Sequence, residues 1–166
     1  MRYPSLIIVC LLLLAACGEG HQQQGTPLPA ACEMLTLKQL KDILREPVEN
    51  PVPTSANAGE QSACTFTLPG RAVGDDLVIY VLKSNAGKDA GRFKTLVSEW
   101  QARNMGAEYE LETVSGYPMA FFPGERNVYP PTFLISFKQV DLAVQGAAKD
   151  DAKSIVFRAM VQYQWK

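Results

Sequence analysis

Apolar residues recur along the chain in three rhythms. A continuous run fills residues 6–16, after the opening Met1-Arg2-Tyr3-Pro4-Ser5. Helical spacing follows: Leu37, Leu40, Ile43 and Leu44 share one face. Thr36 and Gln39 stand at capping-box spacing, Leu35 and Leu40 are placed to staple around them, and Pro47 lies just past the end. The same 3.6-residue period returns at Phe93, Leu96, Val97 and Trp100, in a helix starting near Asp89 and stopping at Gly106. It returns again at Ala152, Ile155, Val156, Ala159, Met160 and Tyr163, in a helix from about Asp150 to near Trp165, capped by Asp150 or Asp151.

Between the helices the period is two. Cys64, Phe66 and Leu68 fall on one face of a strand over residues 63–68. Residues 77–82, LVIYVL, form an unbroken apolar run suited to a central strand covered on both faces. Over residues 107–114, Tyr109 and Leu111 alternate with Glu108, Glu110 and Glu112, a strand with one wet face. Phe133, Ile135 and Phe137 alternate before a turn at residues 139–141 and a second strand at 142–144, which predicts a hairpin. Residues 46–61 carry three prolines and no period, and read as a long exposed loop. Residues 115–131, SGYPMAFFPGERNVYPP, read as turn-rich, with a short hairpin around Pro123 and Gly124. Hairpin-linked strands with helices between the blocks predict a single α+β domain over residues 31–166, an antiparallel sheet with helices packed on it.

The opening run changes the picture of where that domain sits. One positive charge, a short apolar segment and small residues make a secretory signal over residues 1–16. The run is shorter than the roughly 20 residues that span a bilayer as a helix. It ends Leu14-Ala15-Ala16-Cys17, which resembles a bacterial lipobox. The resemblance implies a diacylglyceryl group on the Cys17 thiol and cleavage before it. One acyl chain holds a membrane only marginally, at about 0.8 kcal/mol per buried CH₂, whereas two anchor stably. Gly18 stands where an Asp often retains such proteins at the inner membrane. The expected location is therefore the periplasmic face of the outer membrane in a Gram-negative cell, or the outer face of the plasma membrane in a Gram-positive one. Residues 17–30, rich in Gly and Gln and ending in prolines, read as a flexible tether.

Net charge is −1, and loss of Arg2 with the signal makes it one unit more negative. With no basic stripe, nucleic acid is not an expected partner. Of four cysteines, Cys10 leaves with the signal and Cys17 takes lipid. Cys32 and Cys64 remain, an even pair in an oxidising compartment, which predicts a disulfide. The alternative, a redox or metal-binding pair, lacks CxxC spacing.

With its elements in order, the domain resembles a broad group of bacterial lipoproteins of unknown function that includes the actinobacterial DUF3558 proteins, and is similar in plan to the Mog1/PsbP-like α+β fold. The residues that carry this are Cys32-Glu33-Met34-Leu35-Thr36, Cys64-Thr65-Phe66, Ser115-Gly116-Tyr117-Pro118-Met119-Ala120 and the helix from Asp151. Tyr117 and Pro118 depart from the group's turn pattern. The resemblance implies no enzymatic activity and no cofactor.

Catalytic candidates are few. The one histidine, His21, lies in the tether, and no HExxH, P-loop or GxGxxG occurs. Glu108, Glu110 and Glu112 point to one face and are read as solvated, with a hard-cation site as the sharper alternative. Asp75 and Asp76 read as a turn. On the last helix Phe157, Val161 and Trp165 recur every four residues, roughly opposite the core stripe. Such a second stripe is either buried, under residues 46–61 or against the sheet edge, or is a candidate surface for an envelope protein or a small apolar ligand. The function expected is a non-catalytic binding or interaction module, with the membrane as partner through its lipid. A carboxylate-based envelope hydrolase, requiring two acids across a pocket, and a structural scaffold are the alternatives.

Overall fold

Each strand of the sheet takes its place from which of its faces must be buried. The computed structural model describes residues 28–56, 61–72, 75–84, 90–126 and 128–165. The signal segment, Cys17, His21 and most of the tether lie outside the described residues. A 3-10 turn, Ala31–Glu33, leads to helix α1, Leu37–Leu44. Strands β1 (Glu49–Ala56), β2 (Gln61–Thr67) and β3 (Leu77–Lys83) precede helix α2, Ala90–Arg103. Strands β4 (Glu110–Val114), β5 (Tyr117–Phe122), β6 (Thr132–Ser136) and β7 (Val140–Gln145) precede helix α3, Lys149–Tyr163. The seven strands form one sheet in the order β1-β2-β3-β7-β6-β5-β4, every neighbouring pair antiparallel. The α+β architecture is as the sequence predicts. Among the described residues no helix is long and apolar enough to cross a membrane.

Strand alternation sorts the core into two layers. Cys64, Ile79, Val144, Phe133 and Phe121 stand in one register row, under α1 and α3 with Leu40, Leu44, Ile155 and Ala159. The opposite row runs Ala63, Tyr80, Ala143, Leu134, Ala120. There the small Ala143 and Ala120 let Phe93, Val97 and Trp100 of α2 approach the sheet. Tyr80 closes the side of this layer, its ring edge-on to Trp100 at 5.3 Å. Burial, partly offset by Arg103, pushes the Tyr80 phenol above its usual value.

Helix α1 is built as its sequence implies. Thr36 Oγ1 accepts from Gln39 N at 3.2 Å, and Gln39 Oε1 accepts from Thr36 N at 2.8 Å. Leu35 and Leu40 are buried. Cys32 and Cys64 are joined by a disulfide, with Cα atoms 5.0 Å apart. It ties the turn before α1 to the middle of β2. The packed chain reaches further back than expected, since Leu28 already lies against the core.

Four sequence expectations are corrected. The loop expected over residues 46–61 contains β1. Its prolines hide the period, but an outermost strand bonds a neighbour on one side only and can carry them. A register shift between Glu49 and Val52 bends it. The stretch read as turn-rich contains β5, whose odd positions face α3 and even positions face α2. The turn before it is confined to Ser115 and Gly116, both with positive φ, a two-residue hairpin turn. Strand β4 starts at Glu110 and, as the other edge, leaves even Leu111 exposed. Finally, α3 has Ala148 at its N-cap with no side-chain cap, while Asp150 and Asp151 sit in the first turn, favourably placed for the helix dipole.

Candidate functional site

The stripe of Phe157, Val161 and Trp165 is not one surface. Helix α3 ends at Tyr163, and Gln164 adopts a left-handed φ of 53°. That residue turns Trp165 off the helical spacing. Its indole stacks on Tyr163 with centroids 5.1 Å apart and tilts onto Phe137 at 5.7 Å, leaving Trp165 8% exposed. Phe157 is half-buried against the same core, and only Val161, at 71%, faces solvent. Of the two alternatives for this stripe, Trp165 follows burial and is part of the core, while Phe157 is only partly covered.

The acids of β4 also have a defined role. Lys149 Nζ donates to Glu110 Oε2 at 2.6 Å and to Glu112 Oε1, and Lys153 Nζ donates to Glu112 Oε2 at 2.8 Å. Lys149 lies 5.7 Å from the Phe121 ring centroid. This ladder ties the edge strand to α3. Hydrogen bonds from Lys149, then Lys153, hold the Glu112 carboxyl below its ordinary 4.5. Bonds to Glu110, then Glu112, hold Lys149 above its ordinary 10.5. A lowered carboxyl stabilises the fold above its unfolded value, and the contribution fades as pH falls through the folded one. The raised lysine contributes below 10.5 and loses its contribution as pH rises further. Urea midpoints measured across pH should fall below pH 4.5, and fall less in Glu112→Gln. Equal slopes in the two proteins would remove the ladder from the acid response.

Asp141 carries a carboxyl that is 2% exposed. Ser84 Oγ lies 2.9 Å from both Phe137 O and Asp141 Oδ1, with its single hydrogen to share between them, and Ser136 Oγ donates to the same carboxylate. These contacts fasten the β6–β7 hairpin to the end of β3. Paired in this way, the buried acid reads as a structural latch.

A cavity opens at the other end of the sheet. Two loops wall it, through Arg71, Ala72 and Asp75 between β2 and β3, and through residues 123–126 and 128–131 between β5 and β6. The first is held by Arg71. Its Nε donates to Glu46 Oε2 at 3.1 Å, its Nη2 to Glu46 Oε1, and its Nη1 to Gly146 O. One guanidinium thus joins the end of α1, the β7–α3 turn and the cavity wall. The second loop is closed by Glu125 N donating to Tyr129 O at 3.0 Å and Tyr129 N donating to Glu125 O at 3.1 Å. Gly146 N donates to Pro131 O at 2.9 Å and fixes this loop to the same turn. The resulting open groove has a volume of about 570 Å³, within the range of ligand sites, roughly 300–1,000 Å³. Asp75 contributes from one wall; Glu125, Arg126, Val128 and Tyr129 contribute from the other.

Sequence reasoning reads Asp75 as part of a turn and Pro123 and Gly124 as part of a hairpin, and does not bring them together or single out Arg71, Glu125, Arg126, Val128 or Tyr129. The signal it could have used is a repeat: each loop opens on Pro-Gly followed by charge, Pro69-Gly70-Arg71 and Pro123-Gly124-Glu125-Arg126. Among the described residues, no group of three His, Cys, Asp or Glu is arranged to hold a metal ion.

No protein-family profile, curated protein or solved structure matches the chain.

Proposed function

We propose that the chain is an envelope-anchored lipoprotein whose domain binds a ligand rather than transforming one. The observation that carries this reading is the groove. It combines charged groups on both walls, Asp75 on one and Glu125 and Arg126 on the other, with the apolar surface of Val128, Tyr129 and the prolines. That is recognition chemistry: orienting polar groups on an apolar background. The anchor rests on Leu14-Ala15-Ala16-Cys17, and the Cys32–Cys64 bridge fits an oxidising compartment. The tether expected over residues 17–30 would hold the groove away from the lipid. The intact mass of protein extracted from membranes tests the anchor. Residues 17–166 plus acyl groups, with two thiols appearing only on reduction, is the expected result. An unlipidated mass sinks the envelope assignment.

One observation favours a second reading, a carboxylate-based envelope hydrolase. Asp75 and Glu125 come from facing loops into the same groove, and glycoside hydrolysis uses such an acid pair. The binding reading expects no turnover of envelope glycans or peptides. Turnover abolished by both Asp75→Asn and Glu125→Gln would replace it.

A further inference from the structure

We infer that the groove takes an extended peptide segment through a lysine or arginine side chain; this rests on the binding reading above. The charges that line the groove are not equivalent. Arg71 is neutralised by Glu46 and its remaining donor is used on Gly146 O. That guanidinium builds the wall and does not compete for ligand. Asp75, Glu125 and Arg126 remain, and no ion pair joins any of them to another described side chain. Two carboxylates against one guanidinium leave the groove negative, with an acid on each wall. A cationic head placed between the walls meets both.

The apolar groups select what carries that head. Val128 is 46% exposed on the rim, beside the rings of Pro123, Pro130 and Pro131. Proline rings offer a flat apolar wall without an N–H. An alkyl stem lying on Val128 and the prolines, with its charge reaching Asp75 and Glu125, matches the divided character of a lysine or arginine side chain. The groove is open and larger than one such side chain needs, so the flanking backbone of an extended segment fits beside it. Arg126 and Tyr129, both in the lining, carry the donors its carbonyls would need. Because the attraction is between partly exposed charges, binding weakens with salt.

The test uses the full chain in detergent micelles and isothermal titration with three probes. These are the blocked tetrapeptide Ala-Pro-Lys-Ala, its counterpart with Glu in place of Lys, and spermidine. The lysine peptide is expected to bind saturably and more weakly as salt rises. Asp75→Asn and Glu125→Gln should each weaken it about tenfold, with the thermal midpoint unchanged. Arg71→Lys is not used, since Arg71 holds the wall. Preference for the glutamate peptide would overturn the cationic assignment while leaving the groove as a binding site. Spermidine binding as tightly as the lysine peptide would overturn the peptide assignment. Lysine-peptide binding left unchanged in a combined Asp75→Asn, Glu125→Gln and Val128→Trp variant, which removes both acids and crowds the wall, would overturn both this inference and the reading it rests on.

Discussion

Replacing Cys32 and Cys64 together by alanine is expected to lower the unfolding free energy by about 3.7 kcal/mol. The separation is 32 residues, and the loop-closure entropy removed from the unfolded chain gives that figure at 25 °C. Domains of this size commonly have roughly 5–15 kcal/mol in total. The bridge also has a packing role, because Cys64 is fully buried in the α1/α3 layer and an alanine there leaves a small void. Urea unfolding of the wild type and the double variant measures the loss. The variant's steeper denaturant dependence should report a more expanded unfolded chain. Identical midpoints with and without reductant would show that the bridge contributes nothing to the equilibrium.

Gly146→Ala should cost about 2–5 kcal/mol, and two causes can be separated. The residue has φ +82°, and an added Cβ would meet Asp76 O at 2.2 Å. The left-handed backbone costs an alanine about 1–2 kcal/mol, and the backbone clash adds roughly 1–3 more. Gly116 has the same φ, +82°, with nothing within 4 Å of an added Cβ. Gly116→Ala therefore reads the backbone cost alone. The excess loss in Gly146→Ala isolates the close approach between the β7–α3 turn and the chain entering β3. Since Gly146 also accepts from Arg71 and donates to Pro131, this variant should lose peptide binding along with stability. Equal thermal shifts in the two variants would dismiss the close approach as a constraint.

Local physics was legible where a residue's role is set by its near neighbours. Thr36 and Gln39 announce α1 because each partner is three positions from the other. The α2 stripe announces itself because Phe93, Val97 and Trp100 all meet one layer. Strand β1 was hidden because Pro51 and Pro53 forbid a central strand but not an edge, and only the sheet order says which it is. Trp165 was misplaced because helical counting was carried past a stop made by Gln164, a residue with no glycine-like signature. The groove was illegible for a different reason. Arg71, Asp75, Glu125 and Gly146 lie on three separate connections, joined by strands that pair across the whole sheet. No period in the sequence links them.

The position of the disulfide determines how the domain meets a pull on its leading end. In a chain held by lipid at Cys17, tension enters the fold at Leu28 and reaches Cys32 four residues later. There the load divides, and the covalent branch delivers it to Cys64, in the interior of β2 with β1 and β3 on either side. Residues 33–63, with all of α1, are bypassed and cannot be drawn out while the bridge is closed. The bridge turns a peeling geometry, in which α1 would unravel first, into shear across a strand held on both flanks.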